Sequence, residues 1–221
     1  MTTLRKRFAR AALVMLAPLL LAACGINTIP TKEEAAKAKW ADVQNQYQRR
    51  ADLIPNLVAT VKGYAAQESS VLIGVTEARA GALRTPSDAS ITQDPAAFQR
   101  YQAAQNNVSM SLIPFRMLQE QYPDLKSNTN FMALQSQLEG TENRIAISRR
   151  DYNESVRDFN TSLRTFPTVL WAKTMYGSSK AMQLFQAAET SQGAPTVDFG
   201  APAPAATVTP GSAPPAAAPT Q

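Results

Sequence analysis

The 221-residue sequence contains no histidine and only one cysteine, Cys24. The absence of histidine excludes Ser–His–Asp and Cys–His catalysis, histidine metal sites and histidine-based pH switching. A single cysteine forms neither an intrachain disulfide nor a thiolate zinc site. Glycine-rich phosphate loops, nucleophile elbows and metal-ligand spacings are also missing. The sequence therefore predicts no catalytic residue, no metal and no cofactor.

The excess of positive charge is confined to the N-terminus. The formal net charge is +5, but four of the basic residues lie within the first ten positions. Beyond residue 23, the remaining 18 basic residues nearly balance the 17 acidic ones. A domain that binds nucleic acid is expected to carry a clear basic patch. The charge distribution therefore predicts that nucleic acid is not a partner.

Residues 1–23 have the features of a bacterial export signal. A basic segment precedes thirteen apolar residues, 11–23, too few to cross about 30 Å of hydrocarbon comfortably. The sequence Leu21-Ala22-Ala23-Cys24 resembles the lipobox of bacterial lipoproteins, whose cysteine is acylated and becomes the first mature residue. We expect an extracytoplasmic lipoprotein anchored through Cys24; an uncleaved signal anchor is the alternative. Gly25, in place of an aspartate, favours the periplasmic face of the outer membrane over the inner membrane.

Apolar residues at spacings of three and four indicate three long helical tracts. The tracts cover residues 31–83, 98–122 and 131–166. The first starts with a capping-box pattern at Thr31, and it keeps its phase through Pro55, which predicts a kinked but continuous helix. Pro114 predicts a second kink. Shorter helices are predicted at 171–176 and 181–189. The fold prediction is an all-α, elongated, antiparallel up-and-down bundle of about four helices.

The chain is predicted to have four segments. They are a signal peptide (1–23), a spacer (24–30), a helical domain (31–199) and a tail (200–221). The tail has fourteen Ala or Pro in twenty-two residues and no charge, so it cannot bury a core and is predicted to be disordered.

The first and third tracts each carry a polar stripe beside the apolar one. The stripe of the first tract consists of Asn45, Arg49, Asp52 and Asn56. The stripe of the third tract consists of Asn143, Arg150, Asn153, Arg157 and Asn160. The apolar side of the third tract is formed by Leu138, Ile145, Tyr152, Val156 and Phe159. One interpretation of the stripes is a solvated flank with weak ion pairs. The other is a pair of faces that specify register or bind a ligand.

A carboxylate pair is a weaker candidate for chemistry. Glu139 and Glu142 lie one helical turn apart and could act on cell-wall glycan. Two carboxylates on one helix face do not flank a bond from opposite sides, however, and arginines lie close to them. We therefore expect no glycosidase activity.

Several motifs together resemble the LemA family. They are WADVQNQYQRRADLIPNLV at 40–58, VKGYA at 61–65, YPDLK at 122–126, LEGTENRI at 138–145, RRDYN at 149–153, Asn160, FP at 166–167 and PTVDF at 195–199. The resemblance covers residues 31–199 and implies an all-α bundle of about four helices held outside the cytoplasm by an N-terminal membrane segment. It implies no enzymatic activity. The lipobox departs from the family pattern, because many relatives have a longer transmembrane stretch.

Two functional hypotheses from different classes follow. The first is a non-enzymatic envelope lipoprotein that acts as an interaction scaffold for other envelope proteins or the cell wall. The second is a sensing bundle whose Asn and Arg faces bind a small polar or anionic ligand. A scaffold predicts polar stripes that are exposed or paired within the bundle. A sensor predicts a pocket where Arg49 or Arg150 converges with asparagines.

Overall fold

The computed structural model of the protein describes residues 25–186. The elements are α1 (Thr28–Lys62), α2 (Ser69–Arg84), a 3-10 helix (Ala89–Gln93), α3 (Pro95–Gln121), α4 (Pro123–Lys126), α5 (Thr129–Ser162) and α6 (Thr168–Thr174). These residues contain no β-strand, so the predicted all-α fold is confirmed. The predicted signal peptide and the Ala/Pro-rich tail lie outside the described residues.

Two helix pairs form the bundle. Helix α1 packs mainly against α5, and α2 packs mainly against α3. The pair α1–α5 is antiparallel, because Trp40 lies against Tyr152 near one end and Tyr64 accepts a hydrogen bond from Asn128 at the other. The 35 residues of α1 give a rod of about 52 Å. The prediction of long antiparallel helices is thus confirmed.

Buried apolar side chains form two clusters along the bundle. We call one the aromatic cluster; its ring-bearing members are Trp40, Tyr47, Phe98, Tyr101, Tyr152, Phe159 and Phe185. The second cluster is mainly aliphatic and lies towards the C-terminal ends of α1 and α3. The five residues predicted to form the apolar side of the third tract are all buried. Periodicity therefore identified the core side of α5 correctly.

The start of the first helix was predicted wrongly. Helix α1 begins at Thr28, with Asn27 at the N-cap position, so there is no capping box at Thr31. The predicted spacer extends to Pro30, which in fact lies in the first turn of α1. Proline is tolerated there, because a first-turn backbone N–H has no partner within the helix. In the sequence, three residues, Gly25–Asn27, lie between Cys24 and the start of α1.

The first tract is divided into two helices. Helix α1 runs through Pro55 as predicted, but it ends at Lys62, and Gly63 follows it. The amides of Tyr64 and Ala65 both bond to Val61 O, which closes the end of the helix. Helix α2 then starts at Ser69 and packs on α3. The single continuous helix predicted to reach Arg79–Leu83 is therefore wrong.

Two predictions near the C-terminal end of the domain also need correction. Helix α5 ends at Ser162, before Phe166, and Thr168 donates its hydroxyl to Ser162 O at 2.5 Å. Helix α6 lies close to the predicted short helix at 171–176. Residues 181–186 are not helical, although a helix was predicted at 181–189. Their backbone is bonded to other parts of the bundle, as described below.

No helix within residues 25–186 is both long enough and apolar enough to cross a membrane. The predicted apolar export segment precedes this range.

Candidate functional site

Two asparagines of α5 hold a non-helical segment of the chain by its backbone. We call this segment, residues 181–185, the strap. The side chain of Asn160 donates to Met182 O at 2.9 Å and accepts from Met182 N at 2.9 Å. In the same way, Asn153 donates to Phe185 O at 3.0 Å and accepts from Phe185 N at 2.9 Å. Each amide thus pairs with both backbone groups of one residue, as a neighbouring β-strand would.

The spacing of the two asparagines matches the spacing of the strap residues. Asn153 and Asn160 are seven residues apart on a helix, which corresponds to a rise of about 10.5 Å. Met182 and Phe185 are three residues apart in a segment without regular secondary structure, and three residues of chain can span up to about 10 Å. Two helical turns of α5 therefore match the reach of three strap residues, and both amides pair with the strap backbone.

Two side chains of the strap are buried in the bundle. Met182 and Phe185 both belong to the aromatic cluster. The Phe185 ring lies 4.9 Å from the Phe98 ring and 5.5 Å from the Tyr152 ring, measured between centroids. The guanidinium carbon of Arg149 lies 4.6 Å from the centroid of the Phe185 ring, within cation–π range. The asparagines thus fix the strap backbone, and Met182 and Phe185 fix its side-chain register.

A third strap residue is bound on both sides. Tyr152 donates its hydroxyl to Gln183 O at 3.0 Å, and Gln183 N donates to Thr92 O at 2.7 Å. Burial raises the pKa of the Tyr152 hydroxyl well above its usual value near 10, so it remains a donor at neutral pH. The backbone groups of Met182, Gln183 and Phe185 are all paired, which explains why this segment needs no helix to satisfy them.

A buried arginine joins three helices at the middle of the bundle. The side chain of Arg50 is 1% exposed. Its guanidinium donates to Ser109 Oγ at 2.7 Å, to Gln105 Oε1 at 2.6 Å and to Glu142 Oε1 at 3.2 Å. It also lies 5.0 Å from the centroid of the Tyr47 ring. The cation is thus neutralised and hydrogen-bonded, which a buried charge requires.

A second arginine compensates for the proline inside α1. Pro55 has no N–H, so the carbonyl of Ala51, four residues earlier, has no donor within the helix. Arg79 of α2 donates its Nε to Ala51 O at 2.6 Å. The contact satisfies the carbonyl and ties α2 to α1 at the position of the proline.

A polar cavity of about 370 Å³ lies beside these two arginines. Its lining includes Gln44, Asn45, Tyr47, Gln48, Arg50, Arg79, Ser87, Tyr101 and Gln105. Burial raises the pKa of both Tyr47 and Tyr101, so their hydroxyls are neutral near pH 7. The cavity thus offers neutral hydroxyl and amide groups beside Arg79 and the Glu142-paired Arg50, a set suited to a small polar or anionic ligand.

The predicted polar stripes of the first and third tracts lie on α1 and α5, and we call them the α1 stripe and the α5 stripe. The α1 stripe (Asn45, Arg49, Asp52 and Asn56) is exposed along its whole length and lines a shallow depression to which α5 contributes Gln137. In the α5 stripe, Asn143, Arg150 and Arg157 are exposed, whereas Asn153 and Asn160 hold the strap. No hydrogen bond joins the two stripes among the residues described. Helices α1 and α5 are instead linked through Arg50 and Glu142, the neighbours of the stripe residues Arg49 and Asn143.

The two glutamates considered for catalysis have separate environments. Glu142 forms an ion pair with Arg50, and Glu139 accepts a hydrogen bond from Gln135 on the surface. Glu142 is therefore held inside the bundle, whereas Glu139 is exposed. Within residues 25–186 there is also no group of three His, Cys, Asp or Glu side chains placed to hold a metal ion.

Sequence reasoning missed the partners of these side chains. Arg50 lies between Tyr47 and Ile54 on the buried side of α1, and this position in the apolar phase could have identified it. Arg79 carries no such signal, because its partner is a backbone carbonyl. The spacing of Asn153 and Asn160 was recognised, but a backbone partner leaves no pattern in the sequence.

The fold defines an all-α bundle protein. Its long antiparallel helices bury their apolar sides, and a non-helical strap is bound to one of them. Its family is established by sequence comparison. The family model described as LemA family matches residues 39–199, well over half of the chain, so the protein belongs to the LemA family. None of the curated proteins compared with the chain matches it. The resemblance noted from the motifs is thus confirmed.

Proposed function

We propose that this LemA family protein is a non-enzymatic envelope protein, anchored to the membrane through an acylated Cys24, and that it acts as an interaction scaffold. In this proposal the exposed α1 stripe binds a partner in the envelope. The lipobox-like sequence ending at Cys24 supports the anchor and the extracytoplasmic location. The placement of the polar residues supports the scaffold.

The observation that carries the scaffold is the exposure of the α1 stripe. Asn45, Arg49, Asp52 and Asn56 extend along about 16 Å of one helix face, and no other helix covers them.

Photo-crosslinking in cells tests the scaffold, with the crosslinker placed in the α1 stripe of the full-length protein. The test variant combines Arg49→Ala, Asp52→Ala and Asn56→Ala. The matched control combines Arg100→Ala, Asn107→Ala and Glu120→Ala, which are the same kinds of exposed residue on α3. We expect the test variant to lose at least about tenfold of a specific crosslinked partner, because a single interface hot spot contributes about 2 kcal/mol or more.

Equal crosslinking by the test and control variants would contradict the scaffold.

The second candidate function is the sensing of a small polar or anionic ligand, and the cavity beside Arg50 and Arg79 favours it. Thermal unfolding tests this sensor function with small anions such as phosphate or citrate. The sensor function is favoured over the scaffold if these anions raise the melting temperature of the protein and Arg79→Gln abolishes the increase. The α1-stripe variant should retain the increase.

A further inference from the structure

An exposed apolar surface lies next to the point where the described chain begins. Three large side chains are unusually accessible there: Phe166 is 80% exposed, Leu170 is 54% exposed and Met175 is 59% exposed. On α6 the opposite side, which includes Thr168 and Trp171, packs towards the aromatic cluster. Leu170 and Lys173 are one turn apart and point to solvent together. Met175 lies one turn after Trp171, at the end of the helix, so we call the surface formed by Phe166, Leu170 and Lys173 the α6 face.

The chain leaves almost no spacer between Cys24 and this surface. Gly25 is buried, and its Cα lies against α6: a Cβ there would be 3.6 Å from both Pro167 Cγ and Trp171 Nε1. Cys24 is the next residue in the sequence. A helix is about 10–12 Å across, so the outer side of α6 lies within roughly one helix diameter of Gly25.

The charged residues of the segment that contains α6 are all basic. Residues 159–186 contain three basic residues, Arg164, Lys173 and Lys180, and no acidic residue. All three are exposed. Two acidic groups border this segment and are paired with lysines: Asp158 pairs with Lys32, and Glu33, which accepts a hydrogen bond from Ser179, pairs with Lys37. Exposed apolar side chains combined with basic ones are typical of surfaces that lie in the interface of an anionic membrane.

We propose that the α6 face is a second membrane contact, which inserts into the headgroup region of an anionic bilayer when the protein is anchored at Cys24. The inference rests on the anchoring proposed above. An acyl anchor alone is a single attachment point about which a bundle can tilt. With Gly25 packed on α6, the α6 face reaches the interface beside the anchor, and the two contacts together fix the orientation of the bundle.

Environment-sensitive labels on the full-length, acylated protein in vesicles test this proposal. Acylation blocks Cys24, so an introduced cysteine is the only free thiol. An NBD label at Thr174→Cys reports the α6 face, and one at Lys126→Cys reports the far end of the bundle. In vesicles of phosphatidylethanolamine and phosphatidylglycerol with brominated acyl chains, we expect quenching at least about twofold stronger at 174 than at 126. Replacing phosphatidylglycerol with phosphatidylcholine should reduce this difference.

A pair of matched variants separates the contact from the anchor. Phe166→Ser with Leu170→Ser should lower quenching at 174 to the level at 126. Met110→Ser with Met117→Ser, which are also exposed apolar residues but lie on α3, should leave it unchanged. Equal quenching at 174 and 126 in wild-type protein that floats with vesicles overturns the membrane contact alone. Failure of the wild-type protein to float with vesicles overturns the anchoring as well.

Discussion

At the scale of single residues, two asparagines show how a side chain can recognise a backbone. An asparagine amide has one donor and one acceptor side, as a peptide group has. Asn153 and Asn160 therefore each pair with both groups of a strap residue and contact no other side chain through these bonds. These hydrogen bonds do not depend on the side chains of the strap. The buried side chains of Met182 and Phe185 therefore determine which strap residues lie opposite the two asparagines.

Replacing one asparagine with its isosteric acid tests this arrangement. Asn160→Asp keeps the acceptor for Met182 N but replaces the donor to Met182 O with a second oxygen. We expect the free energy of unfolding to fall by about 1–3 kcal/mol, because the carbonyl loses its partner and faces a negative charge. Urea unfolding measures the loss.

The matched control for this substitution is Asn143→Asp, on the same helix at an exposed position. It should change stability by less than about 0.5 kcal/mol. If both variants lose the same stability, the amide pair with Met182 contributes nothing specific to the strap.

Sequence reasoning at this scale identified positions better than roles. The apolar phase correctly identified Leu138 and Tyr152 as core residues, because burial leaves a periodic signal. The α5 stripe contained both strap-binding asparagines but also three exposed residues of similar type. A side chain that bonds to backbone is indistinguishable in sequence from one that bonds to water. The roles of the stripe residues therefore depended on tertiary structure.

At the scale of helices, the proline in α1 shows how one element completes another. Helix α1 continues past Pro55 although the Ala51 carbonyl has no intrahelical donor, and Arg79 of α2 supplies one. The phase of the apolar stripe was enough to predict the continuity of α1. Helix α2 was merged with α1 in the prediction, because Gly63 and the following turn interrupt the chain without disturbing the apolar spacing.

A double-mutant cycle tests the link between α2 and the proline. Arg79→Met keeps the aliphatic stem but removes the donor to Ala51 O, and we expect a loss of about 1–3 kcal/mol in unfolding free energy. Pro55→Ala restores a backbone N–H four residues after Ala51. In that background Arg79→Met should cost at least about 0.5 kcal/mol less. Chemical denaturation of the four proteins gives the coupling energy, and additive losses would refute the compensation.

At the scale of the whole molecule, the N-terminal sequence predicts where the bundle is held. The resemblance to a lipobox predicts that Cys24 carries fatty acid. Cys24→Ala should therefore abolish incorporation of a metabolic fatty-acid label. Gly25→Ala keeps the cysteine and should retain labelling. Labelling of Cys24→Ala at the wild-type level would show that the anchor is not the lipobox cysteine.

The aromatic cluster depends on the strap, which is synthesised late. Trp40 near the start of the domain and Phe185 near its end are 145 positions apart, yet their rings stack at 5.9 Å. A chain emerges from the ribosome N-terminus first, so Trp40 is present long before the residue that covers it. The aromatic cluster cannot close until the strap has been made, so a segment near the C-terminal end of the domain shields Trp40 from water.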